Sequence, residues 1–169
     1  MCKNVRGFTF QVVPMNIRHC QDICTWSYEP PYDIYQWSSW AQMEAEAEEF
    51  GDAQIRETQY ISILDAENGY LVGYAQLFPI TGVTRLGLGM RPELCGLGIG
   101  PDFVRFLAEE AKRRRPDDII DLEVLVWNIR AQKAYRKAGF VITDRYERPT
   151  PKGNMDFYCM VYQAEPALN

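Results

Sequence analysis

The sequence predicts a mixed α/β fold, and three features of its pattern support this. Short β-prone segments recur along the chain, as at residues 8–13 and 84–90. Between them lie segments in which apolar residues return every three or four positions, which is typical of helices with one buried face. Residues 119–127 are apolar almost throughout, as are strands that are covered on both faces. Strands that alternate with helices indicate a sheet packed against helices.

The composition is that of one folded domain. The chain has 169 residues, of which 47% are hydrophobic and 24% are charged. A chain of this length buries roughly 68 to 70% of its unfolded surface, so it forms a core without disulfide or metal staples. No internal repeat or linker interrupts the pattern. We therefore expect residues 1–169 to form a single domain.

The first half of the chain predicts a strand followed by two helices. Residues 8–13 are β-prone and end at a proline. Asn16 then caps a helix that continues to about Trp26, because apolar residues recur there at helical offsets. A second helix follows Ser39, which fits a capping box with the glutamine three residues on. We expect this helix to end at Gly51.

Two strands joined by a tight turn come next. Residues 59–65 and 70–78 are β-prone, and the Asn68-Gly69 dipeptide between them is a strong signal for a hairpin turn.

The following strand, residues 84–90, alternates glycine with larger apolar residues. Glycine inside a strand indicates that another backbone or a ligand comes very close.

The second half begins with a glycine-rich turn at residues 96–100, which leads into a helix with one apolar face. After the apolar strand, Asn128 caps a short helix that Gly139 closes. The chain then finishes with two more strands, residues 140–147 and 155–162. The pattern thus predicts about four helices.

Charge, hydropathy and cysteine usage exclude several classes of protein. The formal net charge of −5 argues against nucleic acid as a partner. No apolar run approaches the ~20 residues that span a bilayer, and we see no signal peptide. The cysteines are odd in number and irregular in spacing, so we expect free thiols in a cytoplasmic protein and no metal site. They are Cys2, Cys20, Cys24, Cys95 and Cys159.

The turn Gly96-Leu97-Gly98-Ile99-Gly100 is a candidate phosphate site. Such a turn presents unpaired main-chain N–H groups at the positive end of a helix dipole. Its spacing is neither that of a P-loop nor GxGxxG, and by itself it is equally compatible with a plain tight turn. The basic run at residues 112–115 lies roughly 20 Å further along the helix, where cations complement the dipole.

Two segments together resemble a known family. The segment MRPELCGLGIG, followed by LEV, Asn128, Ala131, Tyr135 and Gly139-Phe140, resembles the GNAT superfamily of acetyl-CoA-dependent N-acetyltransferases. The resemblance is specific in residues 86–140 and follows element order elsewhere. It implies a GNAT fold, in which a central mixed, mostly antiparallel sheet of about seven strands is splayed between strands 4 and 5.

The resemblance also implies how acetyl-CoA binds. In this family the segment matching residues 95–100 wraps the pyrophosphate with main-chain N–H groups, and the strand matching residues 84–90 lies along the pantetheine arm. Cys95 stands where Arg or Gln is usual, and Pro101 has no N–H to donate. The implied acetyl-CoA contacts are Leu88, Gly89, Met90, Cys95, Gly96, Leu97, Gly98, Ile99, Gly100, Asn128, Ala131 and Tyr135.

A closer resemblance, over Leu122 to Phe140, is to the branch that acetylates the N-terminal alanine of a ribosomal protein. In that branch the matching Glu is the proposed general base and the Tyr the general acid, which implies these roles for Glu123 and Tyr135. From the residues alone, Tyr135 also fits a core stripe and Glu123 a paired surface carboxylate. Glu29 and Tyr32 match a loop that covers the amine in this family, but they also fit a solvated loop.

The sequence therefore predicts an N-acetyltransferase that transfers the acetyl group of acetyl-CoA to a primary amine by direct attack in a ternary complex. The expected acceptor is a protein or peptide N-terminus. A polyamine or an aminoglycoside-like amine is the alternative, and a regulatory domain that binds coenzyme A without turnover is a third. We expect a monomer or homodimer with no metal, nucleic-acid or membrane partner.

Overall fold

A computed structural model describes residues 7–164 of the chain. Its strands are β1 (Phe10–Pro14), β2 (Tyr60–Asp65), β3 (Leu71–Ile80), β4 (Val83–Met90), β5 (Ile119–Leu125), β6 (Phe140–Thr150) and β7 (Gly153–Tyr162). Its α-helices are α1 (Ile17–Ile23), α2 (Trp40–Glu46), α3 (Ala53–Gln59), α4 (Gly100–Arg114) and α5 (Ile129–Ala138). No helix within residues 7–164 is long and apolar enough to cross a membrane.

The strands form one seven-stranded sheet in the order β1-β2-β3-β4-β5-β7-β6. Neighbouring strands are antiparallel in the β1-β2, β2-β3, β5-β7 and β6-β7 pairs. The strands β4 and β5 are parallel, and their register pairs Val83–Leu86 with Ile119–Leu122. Because this register stops at Leu86 while β4 continues to Met90, the pair has the splay that was predicted. The predicted mixed, mostly antiparallel sheet is thus confirmed.

The helices differ from the prediction in the region before β2. The structure contains α3, which the sequence analysis did not predict, so the described chain has five α-helices instead of about four. The helix α2 ends well before Gly51, because Ala47 adopts a left-handed conformation (φ 48°) as its C-cap. The chain then turns and places Phe50 in the core with no exposed surface. Amphipathic spacing alone does not reveal such a break, because Phe50 continues the apolar stripe of α2.

The described chain divides into two compact units, residues 7–76 with 88–99 and residues 77–87 with 100–164. The four cysteines among these residues carry free thiols, and Cys2 lies outside the described part of the chain. Burial raises the pKa of both Cys20 and Cys24 to about 11, so these two thiols are protonated at neutral pH.

The first unit has an aromatic core. The ring of Phe50 lies edge-on to those of Trp37 and Tyr60, with centroid distances of 5.0 and 5.4 Å. The hydroxyl of Tyr74 accepts a hydrogen bond from Trp37 Nε1 at 2.9 Å. Burial raises the pKa of Tyr74 to about 12. The buried members of this core are Met15, Cys20, Ile23, Trp26, Met43, Phe50, Tyr60, Leu71 and Tyr74.

The ring of Tyr74 lies directly against Gly89 of β4. A Cβ atom added to Gly89 would lie 2.3 Å from Tyr74 Cε1 and 2.6 Å from its hydroxyl oxygen. No side chain larger than hydrogen fits there unless the buried ring moves. The close approach predicted for a glycine of this strand is therefore made, at Gly89, by an aromatic side chain of the protein itself.

In the second unit, α4 packs against α5 and against β5. The helix α5 ends at Gly139, whose φ of 109° favours glycine and whose N–H caps the last turn. Its predicted role as a helix terminator is confirmed. The side chains that α4 buries are Phe103, Val104, Leu107, Ala108 and Ala111.

The contact between Tyr74 and Gly89 makes a stability prediction. We expect Gly89→Ala to lower the free energy of unfolding by about 1–3 kcal/mol, because the added methyl group overpacks a buried site. Denaturant unfolding measures the change. The matched control is Gly100→Ala, whose Cβ would lie 3.6 Å from Ala134 Cβ, an ordinary contact, so its stability should change by less than about 0.5 kcal/mol. Equal stabilities would contradict the packing of the ring against β4.

Candidate active site

In the first unit, the candidate main-chain contacts Leu88, Gly89 and Met90 form the end of β4. The hydroxyl of Tyr28 donates a hydrogen bond to the carbonyl oxygen of Met90 at 2.8 Å. The N–H of Tyr28 donates to Gln36 Oε1 at 3.0 Å, which closes the loop in which Tyr28 lies. Tyr28 thus joins the candidate acceptor loop to the end of β4, a role that the sequence analysis did not assign to it.

The candidate pyrophosphate loop begins after a 3₁₀ turn, Pro92–Leu94. Gly96 and Gly98 both have positive φ values, of 77° and 80°, and an added Cβ would meet no atom within 4 Å at either. Glycine is therefore required by the backbone conformation and not by crowding. Ile99 anchors the loop with a buried side chain, while Leu97 is exposed. The loop presents open main chain directly before the N-terminus of α4, an arrangement that suits an anion.

Cys95 occupies the first position of this loop. Its Sγ atom lies 3.6 Å from the carbonyl oxygen of Arg91 and 3.9 Å from that of Met90. The thiol therefore contacts the main chain at the end of β4. Pro101 is the second residue of α4 and supplies no N–H to the first turn.

The two candidate acceptor residues lie in the loop between α1 and α2. Tyr32 starts a 3₁₀ turn, Tyr32–Tyr35, and its N–H donates to the carbonyl oxygen of Glu29 at 2.8 Å. The side chain of Glu29 is exposed and that of Tyr32 is half-buried. The structure thus brings Glu29 and Tyr32 together in one turn. Before this turn Tyr28 binds the carbonyl oxygen of Met90, and after it Trp37 binds the hydroxyl of Tyr74.

In the second unit, Glu123 lies on β5 and is held by donors from β6. Its Oε2 atom accepts hydrogen bonds from the Tyr146 hydroxyl at 2.6 Å and from Arg148 Nε at 3.0 Å. The Oε1 atom lies 3.6 Å from a guanidinium nitrogen of Arg85. Arg85 also binds Asp121 with two hydrogen bonds, of 2.8 and 3.0 Å. We call these five side chains the Glu123 network.

The Glu123 network keeps its central carboxylate ionised. Burial raises the pKa of Glu123, but hydrogen bonds from Arg148 and Tyr146, together with the charges of Arg148 and Arg85, outweigh burial and hold this pKa below its usual value. Burial and the hydrogen bond to Glu123 raise the pKa of Tyr146, so its hydroxyl remains a proton donor in the bond. Glu123 is therefore an anion with two firm donors at neutral pH.

Asn128 is the N-cap of α5. Its side-chain oxygen accepts a hydrogen bond from the N–H of Ala131 at 3.1 Å, and the residue is buried. Gln132, which the sequence analysis did not single out, donates to the carbonyl oxygens of Leu125 and Val126 at 3.2 and 3.0 Å. These bonds fix the start of α5 against the end of β5. The cap was visible in the sequence, whereas the buried amide of Gln132 gave no local signal.

Tyr135 lies on α5 and is half-buried. Its ring packs against that of Phe140 with a centroid distance of 6.3 Å. The residue therefore contributes to packing, as the core-stripe alternative predicted. Within the described residues, no group of three or more His, Cys, Asp or Glu side chains is arranged to hold a metal ion.

Comparisons with known proteins show that other structures share this fold. Among solved structures, a chimera of the spermidine N-acetyltransferase SpeG from Vibrio cholerae and hSSAT superposes with a TM-score of 0.65 at 18% identity, over 90% of this chain and 94% of that chain. The ribosomal-protein-S18-alanine N-acetyltransferase from Escherichia coli superposes with a TM-score of 0.60 at 18% identity, over 95% and 99% of the two chains. At these identities the likeness is one of fold.

The comparison with curated proteins gave no match. Residues 21–140, which include β4, the glycine loop, Glu123 and all of α5, match the Acetyltransferase (GNAT) family. The match covers well over half of the chain, and the fold is the one that the resemblance implied. The chain therefore belongs to the GNAT family of acetyltransferases.

Proposed function

We propose that this GNAT acetyltransferase transfers the acetyl group of acetyl-CoA to a primary amine by direct attack in a ternary complex. The observation that carries the proposal is the open main chain at Gly96 and Gly98, directly before the N-terminus of α4. Main-chain donors in that position suit a pyrophosphate. When bound, acetyl-CoA supplies an activated thioester.

The fit to acetyl-CoA extends beyond the loop. Residues 95–100 bind the pyrophosphate in this proposal, and the main chain of Leu88–Met90 polarises the acetyl carbonyl. The side-chain oxygen of Asn128 accepts a hydrogen bond from the N–H of Ala131, and this cap positions the start of α5. Asn128 and Tyr135 lie by the thioester, as the family resemblance implies, and Ala131 is a further acetyl-CoA contact.

The acceptor amine has to lose a proton. Deprotonation at pH 7 costs about 1 to 1.4 kcal/mol for an α-amine and about 4.6 kcal/mol for a lysine-like amine. A carboxylate with a lowered pKa is a weak base toward an ammonium ion. The nitrogen becomes much more acidic once it bonds to the carbonyl carbon, and Glu123 accepts the proton at that stage, directly or through water.

The leaving group needs a proton as well. A thiolate of this type has a pKa near 8.5 and a tyrosine one near 10, so protonation by Tyr135 is uphill by only about 2 kcal/mol. Tyr135 is the general acid in this proposal. Tyr135 lies on α5, and Asn128 caps the start of this helix. The helix therefore sets the position of the Tyr135 side chain.

A peptide or protein N-terminus is the acceptor that we propose. The pattern from Leu122 to Phe140 supports it, since this is the segment that resembles the alanine N-acetyltransferase branch. A polyamine or similar small cationic amine is the second candidate, favoured by the net charge of −5 and by the fold shared with a spermidine N-acetyltransferase. Glu29 and Tyr32 contact the acceptor in either case. We place the enzyme in the cytoplasm as a monomer or homodimer.

Acetyl-CoA should protect the protein against thermal unfolding, by about 2.7 kcal/mol at 100 times its Kd. We expect Gly98→Asp to abolish this protection, because a carboxylate would then face the pyrophosphate. The matched control is Gly69→Asp in the β2-β3 turn, where φ is 72° and the space is equally open, so backbone strain and added charge are the same. Protection that persists in a folded Gly98→Asp variant would move the phosphate site elsewhere.

An acceptor is first identified by incubating peptides and small amines with the enzyme and acetyl-CoA and measuring the product mass. The role of Tyr135 is then tested with this acceptor. Tyr135→Phe keeps the ring contact with Phe140 and removes only the hydroxyl, so acetyl-CoA should bind normally while kcat falls by roughly 10² to 10⁴. Steady-state and single-turnover kinetics measure this. A near-normal single-turnover rate would show that another group protonates the thiolate.

The role of Glu123 is tested by pH. Since its pKa is below the usual value, the carboxylate is ionised throughout the range from pH 6 to 9, and the acid limb of wild-type kcat/KM reports the amine. Glu123→Gln should lose roughly 10²-fold near pH 7, and the loss should shrink with rising pH, because hydroxide then removes the same proton from the newly bonded nitrogen. Glu147→Gln, an exposed glutamate of β6, is the control. A loss that is equal at every pH would assign Glu123 a positioning role.

A further inference from the structure

Arg91 directly follows the candidate carbonyl-polarising strand end, and its side chain is only 12% exposed. Its Nε atom donates to the carbonyl oxygen of Leu71 at 2.7 Å, and a second guanidinium nitrogen forms an ion pair with Asp22. The guanidinium carbon lies 5.0 Å from the ring centroid of Trp26 and 4.4 Å from that of Tyr70. A buried cation is thus surrounded by one anion, one carbonyl group and two aromatic rings.

The partners of Arg91 are themselves held. Asp22 uses its other carboxylate oxygen to accept a hydrogen bond from Trp26 Nε1 at 3.2 Å. Trp26 and Leu71 belong to the aromatic core of the first unit. A planar guanidinium that stacks on rings and binds a carboxylate has one favoured orientation, unlike a flexible ammonium group. The side chain of Arg91 is therefore a rigid link from the core to the chain that bears it.

The main chain of Arg91 connects two parts of the candidate site. Arg91 directly follows Met90, and its N–H donates to the carbonyl oxygen of Val72 at 2.8 Å. Its carbonyl oxygen accepts a hydrogen bond from the N–H of Leu94 at 3.0 Å and lies beside the thiol of Cys95. Every main-chain polar group of Arg91 is therefore used to set the direction in which the chain leaves β4 and enters the glycine loop.

We propose that Arg91, through its ion pair with Asp22, is a positioning residue that fixes the main chain at Leu88–Met90 in the orientation that polarises the acetyl carbonyl. This inference rests on the proposed function, because it assigns a cause to the placement of those donors. A displacement of about 1 Å in a reacting group costs on the order of 10²-fold in rate. Loosening this link should therefore reduce catalysis more than it reduces acetyl-CoA binding.

The test is spectroscopic and needs no acceptor. Acetyl-CoA labelled with ¹³C at the acetyl carbonyl is bound to the protein, and the infrared band of that carbonyl is compared with the band in solution. Hydrogen-bond donation weakens the carbonyl bond, so the wild-type protein should shift the band to lower frequency. Arg91→Lys and Asp22→Asn should each retain acetyl-CoA affinity within about threefold while losing most of the shift.

Arg56→Lys is the matched control. Arg56 also lies over a tryptophan ring, 5.7 Å from the centroid of Trp40, and it also donates to a main-chain carbonyl, that of Phe50 at 2.8 Å. Its replacement removes a ring contact and a hydrogen bond to the main chain from α3, and the carbonyl band should keep the wild-type shift. With an identified acceptor, kcat should fall roughly 10- to 100-fold in Arg91→Lys and stay unchanged in Arg56→Lys.

The outcomes separate the two proposals. A wild-type protein that binds acetyl-CoA without any band shift overturns carbonyl polarisation and this inference with it. A full wild-type shift in both Arg91→Lys and Asp22→Asn overturns the positioning role alone and leaves the proposed function intact. If Arg91→Lys fails to fold, Asp22→Asn decides, because its amide oxygen still accepts the hydrogen bond from Trp26, while its NH2 group cannot accept one from Arg91. A double variant no worse than the worse single one supports a shared link.

Discussion

The contact between Tyr74 and Gly89 is the constraint on which the end of β4 depends. The ring of Tyr74 is buried, and its hydroxyl accepts a hydrogen bond from Trp37, so the ring has no room to move away from Gly89. The packing therefore fixes the distance between this ring and the main chain at Gly89. Tyr28 then holds Met90, the residue after this contact, and Arg91 holds the next position by donating to the carbonyl oxygen of Leu71. The strand end that we assign to the acetyl group is therefore defined by packing and hydrogen bonds already present in the protein.

In the second unit, the carboxylate of Glu123 stays charged although most of its side chain is buried. Burial by itself would favour the protonated form of Glu123, but Tyr146, Arg148 and Arg85 supply enough donors and positive charge to reverse this. Because the pKa is lowered, the network stabilises the fold above the usual glutamate pKa and loses this contribution as the pH falls below it. In the proposed function, this ionised carboxylate is the group that accepts the proton of the amine.

Local patterns predicted the parts of the site that a short segment specifies. The asparagine cap of α5, the glycine that ends it and the glycine-rich turn before α4 were all visible, since each is a requirement of the backbone on residues within a few positions. The end of α2 was placed too late because the apolar stripe of α2 continues in sequence to Phe50. The break occurs at Ala47, an alanine in a left-handed conformation that no local rule predicts.

The sequence by itself determined the mixed fold through its hydrophobic periodicity, and its motifs resemble those of the GNAT family, which implies the candidate contacts with acetyl-CoA. Only the tertiary structure decided which groups surround the reactive positions. The Tyr146 hydroxyl that binds Glu123 is 23 residues away in sequence, and the Asp22 carboxylate that pairs with Arg91 is 69 residues away. Such partners are selected by which strands and helices become neighbours when the core forms, so no local pattern encodes them.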